Sequence, residues 1–288
     1  MLSLSASHND GTFAERFHQR VSLTLQPSGI RIVAEQTDGE QCDGEDMQSA
    51  VWDGAIQMAS AMQDPLLFAD GHWRRKQHVI ELGAGCGVVG IAAALLGCQR
   101  VTLTDYPQLL PLLRRNATAN HLDASVCDAA ALEWGSSVGS LAACDAVLGS
   151  DVTTFIQSHE ALCETLCALE AVSTAAGMAS PLEILIAHQQ RGSDVGFFLD
   201  AFEPHFEVSA IWCSPAVDAQ HDAQDPDAPS LARPRALPNR TMIIFSLRRR
   251  PSAEAAEDGE DEGEPSDAAI QAALRGDIGL LKATLRGL

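Results

Sequence analysis

The sequence is poor in positive charge. Its 288 residues include 19 Lys and Arg against 39 Asp and Glu, which gives a formal net charge of −20 at pH 7. Only two of the basic residues are lysines, Lys76 and Lys282. A protein that binds nucleic acid normally presents a basic face to the phosphates, so this composition argues against a nucleic-acid partner. The acidity is not confined to the C-terminal segment, because residues 1–250 keep 30 acidic and 16 basic residues, a net charge of −14.

Several other features are also missing. The longest apolar stretch, around Val88–Leu96, is too short to cross a bilayer, which argues against a membrane protein. The first residues, MLSLSASHND, lack the basic and apolar regions of a secretory signal. The eight cysteines include no Cys-x-x-Cys pair, and no His, Cys or Asp cluster has metal-ligand spacing. We therefore expect a soluble monomer with reduced cysteines and no metal site, located in the cytoplasm or, alternatively, in the nucleus.

Strand-like and helix-like segments alternate along most of the chain. Residues 17–36 predict two short strands around a Pro-Ser-Gly turn, an N-terminal hairpin. The later strands without a helix between them, at 206–212 and 241–248, predict an antiparallel pair. The alternation favours one α/β domain with a mostly parallel sheet. The other predicted strands are 78–82, 100–104, 145–149 and 182–188, and the predicted helices are 51–62, 88–96, 107–120, 158–171 and 194–202.

Four segments fall outside this α/β pattern. We expect residues 1–16 to be a flexible N-terminus and residues 214–239, rich in Pro, Ala and Asp, to be a disordered loop. Residues 251–266 form an acidic linker. Residues 267–288 predict two short helices around a Gly-Asp turn, which resembles the start of an ankyrin repeat, a unit that cannot bury its apolar face alone. The main domain is therefore expected at residues 17–250.

The strongest local motif is VIELGAGCGVVG, at residues 79–90. A strand that ends in glycines before a helix brings a nucleotide-like ligand against the backbone at a sheet edge. The pattern GxGxxG at 85–90, with Asp105 placed 20 residues after Gly85, satisfies the dinucleotide fingerprint. The pattern ExGxGxG at 81–87 equally fits the glycine motif of S-adenosylmethionine enzymes. In those enzymes the acid at the position of Asp105 binds the ribose hydroxyls. The glycine loop alone leaves both interpretations open.

The flanking segments favour the second interpretation. The stretches VWDGAIQMA (51–59), VTLTDYPQLLPLLRRNATAN (101–120), ALEWG (131–135) and AVLGSDV (146–152) occur in this order around the glycine motif. This series resembles the seven-β-strand protein-lysine methyltransferases of the methyltransferase-like group. The resemblance implies a class I methyltransferase domain: a Rossmann-like, seven-stranded sheet, mostly parallel with one antiparallel strand, and helices on both faces.

The resemblance covers about residues 17–247, without 214–239 and without anything after Arg250. It implies S-adenosylmethionine as the cofactor and a lysine side chain of another protein as the methyl acceptor. It also implies a set of residues that contact the cofactor. These are Trp52, Gly83, Ala84, Gly85, Asp105, Trp134 and Ser150.

Most of these contacts have a physical rationale. Gly83 and Gly85 let the chain approach the cofactor closely, and Asp105 can accept hydrogen bonds from both ribose hydroxyls. Trp134 offers a flat apolar surface for the adenine, and Trp52 can cover the methionine end near the positive sulfur. Glu81, the acid that precedes the glycines, can bind donors either of the cofactor or of the loop backbone.

Asp151 is the candidate catalytic residue. In the family an acid at this position is followed three residues later by Tyr or Phe, whereas here Thr154 holds that position and Phe155 comes one residue late. A lysine amine must be neutral to attack, and its ordinary pKa is about 10.4. An acid that orients the amine in a partly dry pocket lowers that barrier without a metal or a separate base. The implied role of Asp151 is to orient the acceptor.

Two alternatives stay open at this point. A methyltransferase of the same fold could use a histidine or a small molecule as the acceptor. A non-catalytic S-adenosylmethionine-binding scaffold is the other, favoured by Thr154 and by the appended helix pair. A nicotinamide-dependent dehydrogenase is disfavoured, because the Trp-Gly motif has no role in it. For a methyltransferase of this charge we expect a protein substrate with a basic, lysine-bearing surface, since an acidic domain attracts it.

Overall fold

The computed structural model describes residues 20–25, 27–36, 50–178, 180–190, 194–213 and 241–250. The expected N-terminal tail at 1–16, the loop at 214–239, the acidic linker at 251–266 and the ankyrin-like segment at 267–288 lie outside the described residues. No described helix is long and apolar enough to cross a membrane.

Strands and helices alternate as the sequence pattern predicts, with ends that shift by a few residues. The strands are β1 (Arg20–Thr24), β2 (Arg31–Glu35), β3 (Val79–Leu82), β4 (Val101–Asp105), β5 (Cys127–Ala131), β6 (Ala146–Ser150), β7 (Glu183–Gln189), β8 (Phe206–Cys213) and β9 (Met242–Arg249). The helices are α1 (Asp53–Ala61), α2 (Val88–Leu95), α3 (Leu110–Ala119), α4 (His159–Ala175) and α5 (Asp194–Phe202).

Seven strands form one sheet in the order β5-β4-β3-β6-β7-β9-β8. Strand β3 pairs in parallel with β4 on one side and with β6 on the other. Strand β9 runs antiparallel to both of its neighbours, β7 and β8, and all other pairings in this sheet are parallel. The expected mostly parallel, seven-stranded sheet with one antiparallel strand is therefore confirmed, as is the antiparallel pairing of the last two strands.

One strand was missing from the pattern-based prediction. Strand β5, with the sequence CDAAA, pairs in parallel with β4 at the edge of the sheet. Alanine has little β-propensity, and three adjacent alanines give no alternation of polar and apolar residues. Pairing with β4, rather than the local sequence, accounts for this strand.

The two faces of the sheet bury separate apolar clusters. Alternate residues of β3 point to opposite faces: Val79 joins the cluster under α1, α2 and α3, whereas Ile80 and Leu82 join the cluster under α4 and α5. The hairpin of β1 and β2 is antiparallel, as expected, and lies on the side of α3. There Asn120 Oδ1 accepts a hydrogen bond from Val33 N at 2.8 Å, which fixes the hairpin to the domain.

The strand order also fixes the location of the site. The chain passes from β3 to β4 on one side, and later places β6 on the other side of β3. In an open α/β sheet, ligands bind at the carboxyl ends of the strands where the strand order reverses in this way. The carboxyl ends of β3, β4 and β6 carry the glycine motif, Asp105 and Asp151 respectively.

Candidate active site

The loop between β3 and α2 holds its glycines in conformations that other residues rarely adopt. Gly83, Gly85 and Gly87 have φ angles of 56°, 55° and 77°. A Cβ atom at Gly83 would lie 3.0 Å from Trp134 Cζ2 and 3.0 Å from Val152 Cγ1. A side chain at Gly83 would be both strained and crowded, so only glycine lets the chain make this turn at the end of β3. We call the loop of Gly83, Gly85 and Gly87 the glycine cradle.

Asp105 ends β4 beside this cradle. Its Oδ2 accepts a hydrogen bond from Gly85 N at 2.8 Å, and its Oδ1 accepts one from Tyr106 N at 2.7 Å. Burial raises the pKa of this carboxyl group, although both backbone hydrogen bonds act in the opposite direction. An ionised carboxylate can accept about four hydrogen bonds, so each oxygen keeps acceptor capacity for a ribose hydroxyl. The geometry thus fits the predicted role of Asp105.

Glu81 lies deeper than the other predicted residues. Its side chain is buried, and its Oε2 accepts a hydrogen bond from Gly90 N in the first turn of α2 at 2.7 Å. Burial raises the pKa of Glu81 to about 8, and the nearby Asp105 carboxylate adds to this effect. Of the two roles open for Glu81, the structure shows the one toward the loop and helix backbone. A direct contact with the cofactor stays a prediction.

Asp151 follows β6 in a left-handed backbone conformation, with a φ of 56°. Its N–H donates to Ala187 O on β7 at 2.9 Å. A Cβ atom at Gly54, in the first turn of α1, would overlap the Asp151 carboxylate. Residues other than glycine rarely adopt this left-handed conformation unless the surrounding structure holds them in it. The packing of α1 and β7 against Asp151 provides that support and fixes the direction of its side chain.

The two predicted tryptophans flank the same edge. Trp52 is half-buried at the N-cap of α1, two residues before Gly54. Trp134 lies against Gly83, and the glycine that follows it, Gly135, donates its N–H to Thr165 Oγ1 of α4 at 2.9 Å. The Trp-Gly motif is thereby fixed to α4 and presents its indole ring to the glycine cradle.

A buried polar cluster beneath Asp151 was not predicted. Thr153 Oγ1 lies 2.7 Å from His188 Nδ1 on β7, and the Thr153 carbonyl accepts a hydrogen bond from His159 Nε2 on α4 at 2.8 Å. All three residues are buried, and His188 stacks on Phe198 with ring centroids 6.1 Å apart. In the sequence, the signal for this cluster was His188, a polar residue near the end of the apolar strand β7.

The structure gathers most of the predicted residues at one sheet edge. Contacts link Gly54 to Asp151, Gly83 to Trp134, and Gly85 to Asp105. The glycine cradle, an acceptor for ribose hydroxyls and an indole face for adenine fit S-adenosylmethionine. Within the described residues, no group of three or more His, Cys, Asp or Glu could hold a metal ion. The residues at this edge are Trp52, Gly83, Ala84, Gly85, Asp105, Trp134, Ser150 and Asp151, with Glu81 buried behind them.

Known proteins are similar to this chain in sequence. A family model described as lysine methyltransferase matches residues 34–204, which is more than half of the chain. The chain is 31% identical over 166 residues to protein N-lysine methyltransferase METTL21A of Xenopus tropicalis, covering 57% of this chain and 71% of that protein. It is 32% identical over 162 residues to EEF1A lysine methyltransferase 3 of Xenopus tropicalis, covering 56% of this chain and 67% of that protein.

Solved structures resemble the chain in fold alone. One is a TehB-like SAM-dependent methyltransferase from Corynebacterium glutamicum, with a TM-score of 0.42, 13% identity, and coverage of 68% of this chain and 88% of that one. The family assignment depends instead on the sequence match, which includes the glycine motif, Asp105, Trp134 and Asp151. The chain belongs to the lysine methyltransferase family and is an S-adenosylmethionine-dependent methyltransferase.

Proposed function

We propose that this protein transfers a methyl group to a lysine side chain of another protein. The observation that carries the proposal is the placement of Asp151, which α1 and β7 fix at the same edge as the glycine cradle. The residues that follow β3, β4, β5 and β6 at this edge (83–87, 106–109, 132–138 and 151–158), all of them described, contain no Lys or Arg. Within these described segments, no cation competes with a cationic amine for Asp151.

The side chains at this edge can prepare a lysine for attack. At pH 7, removing a proton from an amine with a pKa of about 10.4 costs about 4.6 kcal/mol, at about 1.36 kcal/mol per pKa unit. Partial burial at the sheet edge favours the neutral amine, and Asp151 can accept a hydrogen bond from it and aim its lone pair. When bound, the cofactor supplies an electrophilic methyl group on a positively charged sulfur.

The relatives support a protein acceptor, because both are named as lysine methyltransferases and one is named for EEF1A. The charge of this chain supports it as well. A net charge of −20 attracts a basic protein surface and repels nucleic acid. The substrate that we propose is therefore a protein with a basic, lysine-bearing surface.

The direct test is methyl transfer to proteins of a cell extract with labelled S-adenosylmethionine, followed by mass spectrometry of the labelled residue. We expect label on lysine. Asp105→Ala should abolish labelling together with cofactor binding, whereas Asp151→Ala should reduce labelling at least tenfold (about 1.4 kcal/mol) with cofactor binding nearly unchanged.

Other outcomes would contradict the proposal. Label on histidine or on a small molecule would show the same reaction with another acceptor. Normal cofactor binding by calorimetry with no labelled product in extracts would favour a scaffold role. Labelling by Asp151→Ala at the wild-type rate would place the acceptor away from Asp151.

A further inference from the structure

Three large apolar side chains are exposed on the segment that follows Asp151 and on the helix that packs beside that segment. Phe155 is 57% exposed, Ile156 49% and Phe197 50%. The first two lie just after the Asp151 turn, and Phe197 lies in α5, which packs beside the short 3-10 turn Ile156–Ser158. His159 joins the two segments, because its Nδ1 lies 3.4 Å from the Phe197 carbonyl oxygen. We call Phe155, Ile156 and Phe197 the acceptor-side patch.

Local hydrogen bonds explain why Phe155 faces outward. Thr154 Oγ1 donates to the Asp151 carbonyl at 2.8 Å, which closes a tight turn. Thr153, one residue earlier, is fully buried and fixed by two histidines. Because Thr153 is held in the interior and the Thr154 hydroxyl group is bonded within the turn, the side chain of Phe155 points into solvent. The displaced aromatic of the family motif is thus part of an exposed patch on a fixed loop.

The surroundings of the patch are acidic. Glu160 lies one helical turn beyond Ile156, and Asp200 lies three residues after Phe197 in α5; both are exposed. Residues three or four apart on a helix share a face, so carboxylates border the apolar surface. The loop that connects Asp151 to α4 contains no Lys or Arg among its described residues, 151–158. This combination fits a segment that is both basic and apolar.

We propose that the acceptor-side patch docks the substrate segment, by binding an apolar side chain that lies near the target lysine. The proposal rests on the proposed function, since the occupant is the protein substrate. Apolar contact would position the segment, while Glu160 and Asp200 would attract its basic residues. The patch then contributes to specificity: it selects lysines with an apolar neighbour over lysines in wholly polar segments.

Synthetic peptides test this directly. Each has one central lysine and flanking arginines, and differs only in one neighbouring position, which is leucine or serine. We expect the leucine peptide to have a KM about tenfold lower, because burying a leucine side chain increases binding affinity by about tenfold or more. Phe155→Ser and Phe197→Ser should each remove most of this preference and leave the affinity for S-adenosylmethionine unchanged.

Leu66 provides a matched control. It is 91% exposed, and it lies after α1 beside Pro65, which lines a cleft of about 310 Å³ together with Trp73 and Leu96. Leu96 caps the C-terminus of α2, so this cleft lies at the opposite edge of the sheet from Asp151. Leu66→Ser removes a comparable exposed apolar side chain and should keep the full preference for the leucine peptide.

Binding of the same peptides, measured by fluorescence anisotropy, separates the two proposals. If the wild type binds the leucine peptide better, and Phe155→Ser loses this preference, the patch stands even where no lysine is methylated. If both peptides are methylated with equal KM, or the Phe155 and Phe197 variants retain the preference, the patch proposal is wrong while lysine methylation stands.

Discussion

Gly54 and Asp151 lie in direct contact, although 97 positions separate them in the chain. A methyl group on Gly54 would overlap the Asp151 carboxylate, so the first turn of α1 has room for this carboxylate only because residue 54 has no side chain. The N-terminus of a helix also carries partial positive charge, which favours a nearby carboxylate. This contact joins the Trp-Asp-Gly segment to Asp151, the residue that we propose orients the acceptor.

Replacing Gly54 with Ala should therefore impair methyl transfer. The added methyl group must push Asp151 aside, and a misplacement of about 1 Å can cost about a hundredfold in rate. We expect kcat to fall at least about tenfold, with a smaller change in the affinity for S-adenosylmethionine. Gly196→Ala in α5 is the control, since a Cβ there meets nothing within 4 Å. A Gly54→Ala enzyme with wild-type kcat would show that Asp151 can move freely.

The contact between Gly54 and Asp151 also shows what the sequence could not reveal. The glycine cradle and Asp105 belong to one continuous strand-loop-helix-strand unit, so their spacing along the chain predicts their proximity. Gly54 and Asp151 come from separate segments, and only the folded sheet and the packing of α1 bring them together. The same reason hid the Thr153, His188 and His159 cluster, whose members come from a loop, a strand and a helix. Strand β5 was missed because its alanines depend on β4 for their conformation.

Thr153→Val should reduce the stability of the domain and the rate of methyl transfer, without changing the affinity for S-adenosylmethionine. Valine keeps the shape of threonine but removes the hydrogen bond between Thr153 Oγ1 and His188 Nδ1. Loss of a buried hydrogen bond costs about 1–3 kcal/mol of stability. We expect a lower free energy of unfolding and a lower kcat, with an unchanged dissociation constant for S-adenosylmethionine. Thr153→Ser, which retains the hydroxyl group, should restore kcat; equal losses in both variants would mean that packing alone matters.

Gly83→Ala should reduce cofactor affinity more than backbone strain alone explains. Alanine at this position must adopt a positive φ and also meets Trp134 Cζ2 and Val152 Cγ1 at 3.0 Å. Gly177 supplies the matched control, because it has a φ of 69° with nothing within 4 Å of a Cβ. Both variants should lose about 1 kcal/mol of stability or more from strain. Calorimetry should show weaker S-adenosylmethionine binding in Gly83→Ala only; similar affinities in the two variants would remove Trp134 from the binding surface.

Glu81 should make the stability of the domain depend on pH. Its pKa is about 8 in the folded chain, against an ordinary value of 4.5, so between these values the folded state holds a proton that the unfolded state has lost. Rising pH therefore favours unfolding across this window. Glu81→Gln keeps an acceptor for Gly90 N and should flatten this decline in the urea midpoint. Glu133→Gln, at an exposed carboxylate, should retain the wild-type decline; the same slope in Glu81→Gln would assign the pH dependence to other groups.

Salt should weaken the encounter with the protein substrate. Residues 1–250 carry a net charge of −14, and the expected acceptor surface is basic, so their attraction acts over several ångströms of solvent. The screening length falls from about 10 Å at 0.1 M to about 3 Å at 1 M ionic strength, which removes most of this attraction. KM for a protein substrate should therefore rise with salt, while the affinity for S-adenosylmethionine, fixed by close contacts, changes little.

Nucleic acid offered in parallel should stay unlabelled, because the same field repels phosphate. A KM that does not change with salt, or labelled nucleic acid, would show that the acidic surface does not select the acceptor.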